Sequence, residues 1–92
     1  MIKHIVIWPM KDEVTAGQKA EMKNRLEGLK GVVAELADIE VGIDEGSGTM
    51  SLISAFASDE DLAVYQAHPA HQEVVAFVKP LVAGRAVCDY EC

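Results

Sequence analysis

Basic residues are scarce in this sequence, where 8 lysines and arginines stand against 15 aspartates and glutamates and the formal net charge is −7. No lysine or arginine cluster marks a phosphate-binding face, so neither nucleic acid nor an anionic membrane surface is expected as a partner. No apolar run is long enough to span a bilayer. The partners that this composition favours are therefore small molecules or further copies of the same chain.

Cysteine is also rare, since the only two, Cys88 and Cys92, lie four residues apart near the C-terminus. In an extended strand that spacing separates the two residues by roughly 13 Å, which is too far for a disulfide. The first eight residues are too short for a signal peptide and lack its cleavage pattern. We therefore expect free thiols, a reducing compartment and a cytoplasmic location.

Motifs for cofactors and metals are missing as well. The glycines within 44–48 are too few and wrongly spaced for a phosphate-binding loop, and no redox cofactor motif is present. The acidic residues 59–61 suit the first turn of a helix better than a metal site. His68 and His71 lack a third metal ligand. We expect neither a cofactor nor a metal ion.

Hydrophobic residues, in contrast, make up half of the sequence. That share is ample for the core of a single domain, and residues 1–92 leave no room for a second one. A chain this short buries a smaller fraction of its surface than a larger domain does. The apolar content therefore also indicates self-association.

Alternating and helical patterns predict the order β-α-β-β-α-β. Strands are predicted over residues 2–8, 37–43, 49–57 and 85–92. A first helix is expected over about 16–30, with Thr15 and Gln18 as its capping box. A second helical stretch begins after Ser58 and is broken at Pro69. This order is typical of the α+β ferredoxin-like fold, a four-stranded antiparallel sheet with helices on one face.

The other face of that sheet has no cover within one chain. Side chains on both faces of the first predicted strand are largely apolar, with Ile5 and Ile7 on one face and Val6 and Trp8 on the other. A sheet that is apolar on two faces needs cover on both. We therefore predict a homodimer in which the two sheets pair through these faces.

Candidate chemistry concentrates in residues 65–71, which contain one of the two tyrosines and two of the three histidines. Pro69 favours the first position of a helix, which places His68 near the N-cap and His71 in the first turn. The positive helix end should lower the pKa of His71 and keep the ring neutral, as a general base requires. Tyr65 is a candidate hydrogen-bond donor, although the spacing leaves open whether it converges with His71.

Four further residues are candidates for the wall of a ligand pocket, namely His4, Trp8, Met50 and His68. Structural alternatives stay open for three of them. His4 is equally consistent with a hydrogen-bonded histidine inside the sheet, and Met50 with core packing. A role as helix cap accounts for His68 without any role in chemistry.

Several segments together resemble the stress-responsive A/B barrel family, also called the Dabb family. They are residues 2–6 (IKHIV), 41–42 (VG), 65–71 (YQAHPAH), 77–82 (FVKPLV) and 87–90 (VCDY). The resemblance covers the whole chain. It implies a ferredoxin-like domain whose dimer closes into an α/β barrel.

What the resemblance implies about function is narrower, because most members have no established activity. The plant polyketide cyclase of this kind, olivetolic acid cyclase, performs an intramolecular aldol condensation with a histidine base and a tyrosine. These roles fall on His71 and Tyr65, and a pocket role falls on His4. Met50 or a neighbour stands where that enzyme has another pocket histidine, so the same substrate is not expected. Some members hold a cation on backbone carbonyls after the first helix, which corresponds to residues 30–36.

Two hypotheses follow. In the first, a homodimer binds a small polyketide-like or phenolic ligand between sheet and helices, and His71 abstracts a proton beside a carbonyl without a cofactor. A cofactor-free oxidation like that of the antibiotic-biosynthesis monooxygenases is a lesser version of this hypothesis. In the second, the dimer has a stress-related structural role, His68 only caps a helix, and Tyr65 is an ordinary amphipathic residue.

Overall fold

The computed structural model describes all residues, 1–92. Its strands are β1 (Ile2–Trp8), β2 (Asp38–Ile43), β3 (Met50–Phe56) and β4 (Ala86–Glu91). Its helices are α1 (Ala16–Glu27), α2 (Asp59–Ala67) and α3 (Pro69–Val78), followed by a 3₁₀ turn over Lys79–Leu81. The sheet order is β2-β3-β1-β4 and every neighbouring pair is antiparallel. The predicted ferredoxin-like fold is confirmed.

The capping box predicted for α1 is present. The side chain of Thr15 accepts a hydrogen bond from the backbone N–H of Gln18 at 3.1 Å, and the Gln18 side chain accepts from the Thr15 N–H at 2.8 Å. The helix ends at Glu27, earlier than the predicted boundary near residue 30. Gly28 forms its C-cap, and Gly31 takes a φ of +90°, which a helix does not allow.

The core lies between the helices and one face of the sheet. Ile2, Val6 and Trp8 of β1 are buried there, as their alternation predicts. Leu29 and Val33, which continue the apolar helical spacing of Met22 and Leu26, are buried too, but they lie in the turns after α1. Burial therefore follows the apolar pattern even where the helix does not.

The opposite face of the sheet is open in the single chain. Ile7 of β1 and Ile53 of β3 are each 39% exposed, and Tyr90 of β4 is 45% exposed. All three lie on the face of the sheet to which Lys3, Ile5 and Ile7 belong, because Ile53 is paired with Ile5 and Tyr90 with Lys3. None of the helices combines the length and apolar character that crossing a membrane requires. Cys88 and Cys92 are unpaired and exposed.

The edge strand β2 is protected by two side chains of α1. Lys23 Nζ donates a hydrogen bond to the backbone oxygen of Val41 at 2.5 Å, and Glu27 Oε2 accepts from the Val41 N–H at 3.0 Å. Lys23 and Glu27 also pair with each other at 3.1 Å. Together they satisfy the backbone groups that a further strand would otherwise pair, which blunts this edge against association.

We expect Glu27→Ala to lower the free energy of unfolding by about 1–2 kcal/mol, because the Val41 N–H loses its acceptor. The matched control is Glu21→Ala, which removes only an exposed pair with Arg25 and should cost less than about 0.5 kcal/mol. Urea denaturation at one fixed protein concentration measures both. Equal losses in the two variants would contradict this role for Glu27.

Candidate functional site

A cavity of about 350 Å³ lies between the sheet and the helices. Eight of its 14 lining residues are hydrophobic, and the apolar wall includes Val6, Leu26, Leu52 and Val78. The polar and titratable side chains on its wall are His4, Tyr65, Gln66, His71, Gln72, Lys79 and Arg85. Such a mostly apolar cavity with a few polar groups suits a small organic molecule.

The corner between α2 and α3 brings Tyr65 and His71 together on this wall. His68 is extended, with φ −66° and ψ 135°, and serves as C-cap of α2 and N-cap of α3, while Pro69 takes the first helical position. The chain therefore turns a corner between the last turn of α2 and the first turn of α3. The two rings lie 4.3 Å apart between centroids and are inclined by 45°.

Tyr65 is the member of this pair that carries an O–H donor. Its side chain is 1% exposed, and Phe56 packs against its ring at a centroid distance of 5.0 Å. Burial raises the pKa of Tyr65 to about 12 because it disfavours the charged phenolate. Tyr65 is therefore a neutral phenol, able to donate its O–H, throughout the physiological pH range.

His71 is the complementary acceptor. Its Nδ1 lies 3.2 Å from the backbone oxygen of Gln66, which only accepts, so this contact favours a proton on Nδ1 and leaves Nε2 unprotonated. Burial, the largest cause, lowers the pKa of His71, and the charges of His4, Arg85 and His68 add to the lowering. The hydrogen bond to Gln66 opposes it. The neutral ring predicted from the helix terminus thus arises mainly from desolvation.

His4 stands on the sheet side of the cavity and is 5% exposed. Its Nδ1 is 2.5 Å from Oδ1 of Asp89, the residue paired with it across β1 and β4. A carboxylate accepts this bond, so Nδ1 carries a proton, and Nε2 is an acceptor whenever the ring is neutral. The sequence analysis missed Asp89. The only available signal was the pairing of the first and last strands, and its register cannot be read without the fold.

Of the remaining predicted pocket residues, Trp8 lines the cavity, whereas Met50 and His68 do not. Met50, paired with Trp8 across β1 and β3, is 0% exposed and belongs to the core, outside the cavity wall. His68 is held at the corner, where its Nδ1 accepts a hydrogen bond from the Ala70 N–H at 3.0 Å. Neither Met50 nor His68 lines this cavity, and the alternatives of core packing and helix capping account for the two side chains.

The structure adds wall residues that the sequence analysis did not single out. Gln66 and Gln72 flank the Tyr65–His71 pair, and Lys79 and Arg85 bring positive charge to the wall. They lie on α2, on α3, in the 3₁₀ turn and in the loop before β4, and they carry no motif. No group of three His, Cys, Asp or Glu side chains is placed to hold a metal ion.

The fold and the cavity define a small ferredoxin-like α+β protein with a ligand-sized site between sheet and helices. The model of the stress responsive A/B barrel domain matches residues 2–92, and the chain belongs to this family. The family expected from the sequence is thereby confirmed. The curated proteins contain no significant sequence match to this chain.

Solved structures share the fold over nearly the whole chain. A dimeric protein of unknown function with a ferredoxin-like fold from Bacteroides fragilis is 28% identical, with a TM-score of 0.82 and coverage of 99% of this chain and 95% of that one. A hydroxynitrile lyase from Passiflora edulis is 20% identical, with a TM-score of 0.85 and coverage of 97% and 90%. A Nitrosomonas europaea protein assigned to the antibiotic biosynthesis monooxygenases is 16% identical, with a TM-score of 0.85 and coverage of 100% and 98%. The last two likenesses concern the fold alone.

His71 should titrate with a midpoint below its ordinary pKa of 6.5, because burial disfavours the imidazolium. The folded state then binds fewer protons than the unfolded state. The stability that neutral His71 contributes is fully present above pH 6.5 and is lost as the pH falls through the lowered pKa. NMR titration of the ring protons measures the midpoint, and a midpoint at or above 6.5 would contradict the prediction.

Proposed function

We propose that this chain forms a homodimer through the open faces of its sheets and binds a small carbonyl-containing organic ligand, polyketide-like or phenolic, in the cavity. We further propose that His71 acts there as a general base, without a cofactor. One observation supports this most strongly: a neutral donor, Tyr65, and a neutral acceptor, His71, lie side by side on an apolar wall.

In the proposed reaction the ligand's carbonyl oxygen accepts a hydrogen bond from the Tyr65 hydroxyl. Nε2 of His71 removes a proton from the carbon next to that carbonyl, and the C–H electron pair passes into the enolate. The Tyr65 hydroxyl stabilises the negative charge that develops on the oxygen. The enolate carbon then attacks a second carbonyl of the same molecule, which closes a ring, and the alkoxide formed at that carbonyl takes the proton from His71. Where a conjugated double bond extends the enolate, it instead takes the proton back from His71 at a more distant carbon, which isomerises the ligand.

His4 and Trp8 are proposed to position the ligand. The Asp89 carboxylate holds the imidazole of His4 in one tautomer, which leaves Nε2 as a fixed acceptor for a ligand hydroxyl. Trp8 supplies an apolar surface nearby on the same strand. A buried polar group that its neighbours hold in place favours ligands that can pair with its free donor or acceptor. A ligand without the matching group leaves that atom unpaired and binds less well.

The fold supports this proposal only in outline, because one fold hosts many activities. The solved relatives include a lyase and a protein assigned to the monooxygenases, so enzymes do occur on this architecture. One observation favours the alternative of a dimer without catalysis. The hydrogen bonds of His68 and His71 within the corner are local and consistent with a purely structural role.

The homodimer is supported by the open apolar face and by the dimeric relative from Bacteroides fragilis. We expect light scattering to give the mass of a dimer at micromolar concentration. Ile53→Lys should weaken the dimer because it places a charge at the centre of the paired faces. The matched control is Val64→Lys on α2, where Val64 is similarly exposed, at 45%. A monomeric wild type, or equal effects of the two variants, would contradict the proposed interface.

Proton abstraction can be tested before the natural ligand is known. We expect the protein to accelerate exchange of the methyl protons of 4-hydroxyacetophenone, a phenolic ketone, in D₂O, followed by NMR. His71→Ala should lower the protein-dependent rate about 100-fold, the usual contribution of a general base. Tyr65→Phe should lower it about tenfold or more through loss of the donor.

The control for both changes is His68→Asn, which keeps a helix cap at the corner but alters no wall residue. It should leave the exchange rate unchanged. The rate should rise with pH through the lowered pKa of His71 and level off near neutrality. Binding without exchange would reject the base and retain the pocket, and loss of folding in Tyr65→Phe or His71→Ala would favour the structural alternative.

A further inference from the structure

We propose that the ligand of this cavity is an organic anion whose carboxylate is held by Arg85 and Lys79, with its apolar body against Trp8. This inference rests on the proposed function, because it assumes that the cavity takes a small organic ligand. It adds the charge of that ligand and names the end of the cavity where the charge lies.

The charge of the cavity wall is opposite to that of the chain. The chain has 15 acidic and 8 basic residues, and its formal net charge is −7. The 14 lining residues nevertheless include Lys79 and Arg85 and no aspartate or glutamate. An anion is repelled by the molecule as a whole and attracted at this one opening. A site for a neutral ligand would not need positive charge on its wall.

Neither cation is engaged elsewhere in the chain. The ion pairs of the structure are formed by His4, Lys23, Arg25 and Lys30. Lys3, Lys11 and Lys19 also stand outside these ion pairs, but none of them lines the cavity. The charges of Arg85 and Lys79 remain available to a bound molecule.

Strand register places Arg85 at a defined end of the cavity. The last paired residues of β1 and β4 are Ile7 and Ala86, so the next position across from Arg85 is Trp8. Arg85 also continues the row of Val87 and Asp89, which are paired with Val6 and His4 on the cavity side of β1. His4, four residues before Trp8, lies roughly 13 Å along the strand. The cavity therefore has a cationic end beside Trp8 and a His4–Asp89 end.

The chemistry of the two cations favours a carboxylate. A guanidinium presents parallel N–H groups that match the two oxygens of a carboxylate, and the ammonium of Lys79 adds a second charge. The apolar wall and Trp8 accommodate a ring or an alkyl chain next to it. A ligand of this class carries an acid at one end and presents its carbonyl to Tyr65 further inside the cavity. Aromatic and ketide-like carboxylic acids meet this description.

The test compares two ligands of the same shape, 4-acetylbenzoate and 4-acetylbenzamide, of which only the first carries a charge. Trp8 is the only tryptophan of the chain and lines the cavity, so quenching of its fluorescence reports binding of either compound. We expect the wild type to bind the carboxylate about five- to tenfold more tightly than the amide, as for a partly exposed charge-assisted contact. Arg85→Gln should abolish most of this preference without changing amide binding, and Lys79→Gln should reduce it.

The matched control is Lys11→Gln, which removes one positive charge outside the cavity wall and should leave the preference intact. Raising the salt concentration should weaken carboxylate binding more than amide binding. If the amide binds and the carboxylate binds no better, or if Arg85→Gln keeps the preference, the anion inference is overturned and the pocket remains. If neither compound binds, the proposed function fails first, and this inference fails with it.

Discussion

The central position of β1 is the constraint on which the rest of the structure depends. The strand is hydrogen-bonded to β3 on one edge and to β4 on the other, and it carries apolar side chains on both faces. One face is covered by the helices and holds His4 and Trp8 against the cavity. The other remains open. β1 thus contributes side chains to the cavity, pairs with the last strand, and exposes the apolar face that is available for dimerisation.

Burial also decides the chemistry of the corner, and it moves Tyr65 and His71 in opposite directions. Removing water disfavours the charged form of each group. For the phenol that means a pKa raised to about 12, and for the imidazole a lowered pKa. The same physical cause therefore leaves one group as donor and the other as acceptor at neutral pH. No neighbouring charge is needed to create the pair, although the charges around His71 add to its shift.

Membership of the family determines the fold around this cavity, but not the ligand or the reaction. Solved structures with the same fold include a protein of unknown function, a hydroxynitrile lyase and a protein assigned to the monooxygenases, at identities to this chain of 28%, 20% and 16%. What distinguishes a member is the set of side chains on the cavity wall. In this chain that set joins the Tyr65–His71 pair to a histidine held by Asp89 and to two unpaired cations. The ligand proposed above follows from that combination.

The local patterns of the sequence determined the elements and the corner. Thr15 and Gln18 begin α1, and Pro69 divides the second helical stretch, because capping and proline act through neighbours in the chain. Alternation in β1 predicted which side chains point together. The end of α1 was predicted less well, since Gly28 and Gly31 stop the helix before the apolar spacing does.

Only the tertiary structure decided how the site is composed. Asp89 meets His4 across 85 positions of sequence, and Arg85 reaches the cavity through the register of β1 and β4. Met50 shares its face with pocket residues and is nevertheless enclosed in the core. Each outcome depends on which distant segments pack together and on how much water they exclude. Spacing along the chain does not determine strand register or burial, because both are properties of pairs of elements.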